Sequence, residues 1–201
     1  LFHFITRENY LFPDAFNPRS FFVRGVASKP SPRGLKFLLQ FSSMTEFKKR
    51  AFIGGNWKCN GTIEKVASMI EMLNKAGDFP DSSEVVIACP SIHIMNAQAS
   101  MRKDIAIASQ DVGLNGYGAH TGELSAEMLV DSGVKWTLAG HSERRAGFGI
   151  PGETSELVAK KAKKAIDTGM DVIVCIGEKL EDREADKTMS VLKSQLIPVK
   201  D

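Results

Sequence analysis

The run VIVCIG (Val172–Gly177) decides how this chain folds. It has no polar alternation, so it does not read as a strand with one face in water; it reads as one buried on both faces, as in a parallel sheet covered by helices. The segment before it, Thr154–Thr168, sets Leu157/Val158, Ala162 and Ala165/Ile166 at helical steps and meets Gly169, which suits a helix end. The repeating unit is therefore a helix feeding a buried strand.

The same unit recurs upstream. AFIGG (Ala51–Gly55), VVIAC (Val85–Cys89), IAIAS (Ile105–Ser109) and WTLAG (Trp136–Gly140) are further short apolar runs. Thr62–Ala76 carries Ile63, Val66, Met69/Ile70 and Leu73 on one helical face, with Thr62 placed to cap and Gly77 to stop. Ala185, Met189, Leu192 and Leu196 predict a third helical face. Alternating strands and helices indicate a parallel α/β sheet, wound open or closed as a barrel. The open form usually announces a nucleotide site by a glycine-rich first turn, and neither the dinucleotide fingerprint nor the P-loop pattern occurs.

The first 43 residues are a different kind of chain. They hold eight of the twelve Phe, four of the eight Pro, and six basic side chains (Arg7, Arg19, Arg24, Lys29, Arg33, Lys36) against Glu8 and Asp14. With no sustained period, residues 1–43 read as an unstructured leader and residues 47–201 as the domain. Met44 opens MTEFKKR, so the leader reads either as translated upstream sequence, with a cytoplasmic protein behind it, or as the remnant of a plastid or mitochondrial targeting segment. The formal net charge of +2 gives no ground for a nucleic-acid or membrane partner. Three cysteines without metal-ligand spacing argue against a disulfide framework or zinc site.

In parallel α/β folds functional groups gather where strands end. Those positions hold Asn56 and Lys58, then Gln110 and Asp111, then His141, Ser142 and Glu143, then Cys175 and Glu178. An amide, an ammonium and an imidazole on one rim suit an oxygen-rich anionic ligand. Each also has a plain reading: Lys58 as a solvated loop residue, His141 as a structural hydrogen-bonding side chain, Glu143 with Arg144 and Arg145 as a surface ion-pair cluster, Cys175 as packing rather than a nucleophile. The 13-residue connection Gly113–Ser125 is long for such a fold and suggests an interface.

FIGGNWKCNG (Phe52–Gly61), HTGELS (His120–Ser125), GVKWTLAGHSERR (Gly133–Arg145) and VIVCIGEKLEDREA (Val172–Ala185) together resemble triose-phosphate isomerases, in order and at matching separations. The resemblance implies an incomplete (β/α)8 TIM barrel with about the first five βα units. It implies interconversion of dihydroxyacetone phosphate and glyceraldehyde 3-phosphate through an enediolate, in glycolysis and gluconeogenesis, without metal or organic cofactor. It assigns Asn56 and Lys58 to substrate, His141 to the electrophile, Glu143 to the catalytic set, Ser142 and Cys175 to support, and Thr121 to a homodimer interface. For this family the use of a neutral histidine is established, and that is not a result of this sequence. The local logic is still legible: His141 at the start of HSERR faces unpaired backbone N–H groups, which disfavour imidazolium. The family's general base lies in a Tyr-Glu-Pro-Val-Trp motif, and these 201 residues contain none. The expectation is a nearly inactive chain; the alternative is a shortened, non-catalytic chain that pairs with full-length subunits.

Overall fold

A computed structural model describes residues 51–200 and the backbone of 21–25. Five strands, β2 (Ala51–Asn56), β3 (Ser83–Cys89), β4 (Ile105–Ser109), β5 (Trp136–Ala139) and β6 (Asp171–Ile176), pair in parallel in chain order. They form the curled sheet of an incomplete (β/α) barrel. A sixth strand, β1 (Phe21–Gly25), runs antiparallel along the far side of β6. It lies within the stretch read as a leader; the proposed limits at 43 and 47 lie outside the described residues.

The apolar runs of β3 to β6 are buried on both faces, as their lack of alternation required, whereas β2 is half-buried along its whole length. Val85, Ile87, Cys89, Ile105, Ile107, Val172, Val174 and Ile176 pack against helix residues such as Val66, Ile70, Leu129, Val158 and Ala162. The alternate residues Val86, Ala88, Ala108, Trp136, Leu138, Ile173 and Cys175 form a second cluster on the opposite face. Phe52 packs there on Trp136, ring centroids 5.5 Å apart. Every strand is thereby fixed in rotation, so the end of each delivers its next residues to the same rim.

Helix starts follow the sequence more closely than helix ends. The Thr62 hydroxyl accepts from the Lys65 N–H to open α1 (Ile63–Asn74), and Thr154 does the same for Leu157 at α5 (Ser155–Asp167). Gly169, at φ +97°, ends the α5 segment as expected. Gly77 does not stop α1. The helix ends earlier, at Asn74 with Lys75 as its C-cap, and Arg102 holds the turn that follows by donating to the carbonyls of Ala76 (2.6 Å) and Gly77 (3.2 Å). The third predicted helical face is also divided. Asp186, at φ +54°, separates α6 (Leu180–Glu184) from α7 (Thr188–Lys200); Ala185 caps α6, Met189 is exposed, and Leu192 and Leu196 pack inward. Between these lie α2 (Ile94–Ser100), α3 (Ala126–Asp131) and α4 (Ser142–Ala146). Among the described residues no helix is long and apolar enough to cross a membrane.

Candidate active site

The end of β2 is tied to the end of β4 by amides. Asn56 Oδ1 accepts from the Lys58 backbone N–H at 2.8 Å and from Gln110 Nε2 at 3.0 Å, and Gln110 Nε2 also donates to the Lys58 carbonyl at 2.8 Å. Lys58 sits at φ +52°, in the left-handed region that a side-chain-bearing residue occupies at a cost of about 1–3 kcal/mol. These three bonds hold it there. The strained backbone aims the ammonium across the rim, where Nζ meets Glu143 Oε1 at 2.6 Å. Lys58 is thus a positioned cation rather than a solvated loop side chain.

His141 occupies the N-cap of α4. Its Nδ1 accepts the Glu143 backbone N–H at 3.3 Å, which requires a lone pair on Nδ1 and leaves the ring proton on Nε2. The Glu143 carboxylate, which binds the Lys58 ammonium, lies 3.5 Å from the same Nδ1; both atoms are acceptors, so this is a close approach and not a hydrogen bond. Ser142 is the exposed first residue of α4. The turn that presents His141 depends on Gly140 at φ +69°, where an added Cβ would lie 2.6 and 2.7 Å from the Val158 methyl carbons. Gly140→Ala is expected to destabilise the chain by about 1–3 kcal/mol from backbone strain and overpacking, measured as a lower urea midpoint.

The two arginines of HSERR are more than a surface cluster. Arg145 donates from Nε to the Gly140 carbonyl (2.8 Å), from Nη1 to Ser155 Oγ (3.1 Å) and from Nη2 to the Cys175 carbonyl (3.1 Å). One guanidinium thereby fastens the ends of β5 and β6 to the start of α5. Arg144 Nε contacts Asp111 Oδ2 (2.9 Å) and Glu153 Oε1 (2.7 Å). Both carboxylates also receive Lys161 Nζ, at 2.8 and 2.7 Å. Burial raises the Asp111 pKa. Burial also acts on Glu153, but hydrogen bonds from Lys161 and Arg144 outweigh it and hold that pKa below the usual range. Sequence reading missed Glu153 and Lys161 because both lie on or beside a helix whose polar positions look solvated; Lys161 is only 6% exposed.

Cys175 is buried, and its thiol is pushed up to about 12 by that burial, with Arg145 opposing in part. The side chain packs, and its carbonyl serves Arg145. Beside the rim lies a cleft of about 230 Å³ lined by Gln110, Asp111, Gly113, Glu123, Leu124 and Arg144, among others. A second hollow, between α1 and α2, involves Glu71, Asn74 and Asn96 and none of the rim residues. The Gly113–Ser125 loop is closed at its base by the Gly113 N–H on the Leu124 carbonyl (2.7 Å) and is exposed beyond it, Thr121 included. The structure therefore assembles Asn56, Lys58, His141 and Glu143, adds Gln110, and keeps Thr121 in the outlying loop.

Residues 51–200 match the family model described as triosephosphate isomerase. The triosephosphate isomerase of Aspergillus oryzae is 46% identical over 150 residues, covering 74% of this chain and 58% of the relative. That of Paracoccidioides lutzii is 47% identical over 148 residues, with the same coverage of each. A relative from Arabidopsis thaliana named "Triosephosphate isomerase, chloroplastic" is 43% identical over 170 residues, covering 85% of this chain and 50% of the relative. The chain thus spans between half and three fifths of the length of these relatives. A family match through every parallel strand, joined to near-half identity over the same residues, means that this chain belongs to the triosephosphate isomerase family.

Proposed function

We propose that the rim formed by Asn56, Lys58, Gln110, His141 and Glu143 is the electrophilic half of a site that interconverts dihydroxyacetone phosphate and D-glyceraldehyde 3-phosphate. The observation that carries this reading is the Asn56–Lys58–Glu143–His141 chain of contacts across the ends of β2 and β5. Lys58 opposes the charge of a triose phosphate. The Nε2–H that the N-cap leaves on His141 donates to the substrate carbonyl and stabilises the enediolate oxygen as the neighbouring carbon loses its proton. Glu143 holds the Lys58 ammonium until an anion competes for it. Asn56 and Gln110 keep the Lys58 backbone in its left-handed turn, and Ser142 and Cys175 support α4 and β6. Proton removal from carbon needs a general base, and the family's glutamate motif is not in these 201 residues; the chain by itself is a poor catalyst.

The test is titration of the 201-residue chain with dihydroxyacetone phosphate, followed by backbone and imidazole NMR. Resonances of Asn56, Lys58 and His141 are expected to shift together, and Lys58→Gln is expected to weaken binding about 10-fold or more, from loss of a charge-assisted contact. Shifts confined to other residues would overturn the assignment.

The exposed Gly113–Ser125 loop with Thr121 supports a homodimer, or pairing with full-length subunits if the chain acts only by binding. Sedimentation of wild type beside Thr121→Arg checks this; the variant is expected to be the more monomeric. The Arabidopsis match covers more of the chain than residues 51–200 can supply, so it runs into the first 50 residues and favours the targeting reading of the leader over a cytoplasmic one.

A further inference from the structure

Lys58 faces across the rim only while its backbone stays at φ +52°, and that backbone is held from two ends. On the upstream side the holders are Asn56 and Gln110. On the downstream side the chain passes Cys59 and then Asn60, whose Nδ2 donates back to the Trp57 carbonyl at 3.1 Å, and reaches Gly61. There the Gly61 carbonyl lies 3.0 Å from His93 Nε2. A carbonyl oxygen can only accept, so Nε2 carries the hydrogen and donates it. His93 comes from a different unit of the fold. It ends the single 3-10 turn Ser91–His93 between β3 and α2, with its own N–H on the Pro90 carbonyl at 2.9 Å. Its side chain is buried, the residue being 5% exposed, where an apolar residue would serve packing alone.

We infer that His93 is a positioning residue for Lys58: by fixing the Gly61 carbonyl it holds the downstream end of the loop 57–61 and keeps the ammonium directed across the rim. The inference deepens the triose-phosphate reading of that rim and rests on it. Strain makes the hold on both sides necessary, because a side-chain-bearing residue in the left-handed region stays there only when its surroundings over-determine it. With Gly61 released, Lys58 relaxes toward an ordinary φ and its ammonium spreads over several positions. An anion that binds there must then order the loop itself, which weakens binding. His93 acts through the Gly61 backbone and not on the ligand.

The experiment compares His93→Leu, which keeps a bulky side chain and loses the donor, with His93→Gln, whose amide Nε2 can donate in the same place. Binding of dihydroxyacetone phosphate to the 201-residue chain is measured for each, with native Lys58 and again in Lys58→Gln. With native Lys58, His93→Leu is expected to weaken binding about 3–10-fold, the worth of one hydrogen bond, and His93→Gln to stay within about 2-fold of wild type. In Lys58→Gln the His93→Leu change is expected to have no further effect, since a residue that acts through Lys58 has nothing left to position. An equal loss in both backgrounds, which a merely structural role would give, overturns the inference, as does no loss in either.

If wild type binds no triose phosphate, the reading of the rim fails by itself and amide exchange still judges His93. The Lys58 N–H, bonded to Asn56 Oδ1, is expected to exchange about 10-fold faster in His93→Leu than in His93→Gln, with the β4 amides equal in both. Equal exchange at Lys58 overturns the inference. Should His93→Leu fail to fold, imidazole NMR of the wild-type chain decides: a proton on Nε2 protected from exchange is expected, and an Nε2 without one overturns it.

Discussion

Assayed as 201 residues, the chain is expected to interconvert the two triose phosphates about 10²–10⁴-fold more slowly than a complete relative, the usual loss when a general base is missing. The proposed rim is equipped for only one half of the reaction. In the proposed site, His141 and Lys58 polarise a carbonyl and accommodate the negative charge that develops on oxygen. Neither can take a proton from carbon, since one is held as a donor at Nε2 and the other is an ammonium paired with Glu143. Glu143 is spoken for by Lys58 and turned toward His141. A coupled assay with each triose phosphate as substrate decides the matter, and turnover near that of the Aspergillus oryzae relative would overturn it. Retained binding with lost turnover would separate the two halves of the site.

The second large effect lies beneath the rim. Glu153→Ala leaves Lys161 buried with half of its counter-charge gone and takes one carboxylate from Arg144, and breaking a buried pair in this way costs about 3–5 kcal/mol. Asp111→Asn should cost less, because burial already disfavours the Asp111 carboxylate. The pH dependence follows from the direction of each shift. Glu153 has a folded pKa below its ordinary 4.5, so its stabilisation is present above that value and is lost as pH falls through the lowered one. Asp111 is shifted upward, so it protonates first on acidification and at little cost. The gap between wild type and Glu153→Gln in urea midpoint should therefore stay constant from neutrality to near pH 5 and close at lower pH. A gap that closes already near neutrality would show that Glu153 is not the group held low.

Much of the fold was legible because four of the five parallel strands, β3 to β6, are buried on both faces, which strips them of alternation and makes them visible as runs. The helix starts were legible because Thr62 and Thr154 act within three residues of themselves. The end of α1 was not, since the turn after Asn74 is held by Arg102, an agent from the neighbouring unit. The split between α6 and α7 turns on one residue, Asp186, in a conformation that its identity does not announce. At the proposed site, Asn56 ends a strand and Lys58, Gln110 and His141 follow strands within two residues, where position alone singles them out. Glu153, Lys161 and the threefold grip of Arg145 were invisible, because charged residues on or beside helices look solvated until their partners near the ends of β4, β5 and β6 are brought up to them.

The Lys58–Glu143 contact joins residues 85 positions apart and the Asn56–Gln110 contact joins residues 54 apart. Such distant pairs close late, after the intervening strands have found their register. The proposed site is therefore complete only once all the strands that carry it are in place. Any molecule that binds between Lys58 and His141 selects the finished arrangement and adds its own binding free energy to it. Ligand-dependent protection against protease would in consequence report how far assembly has gone, residue by residue, from β2 to β6.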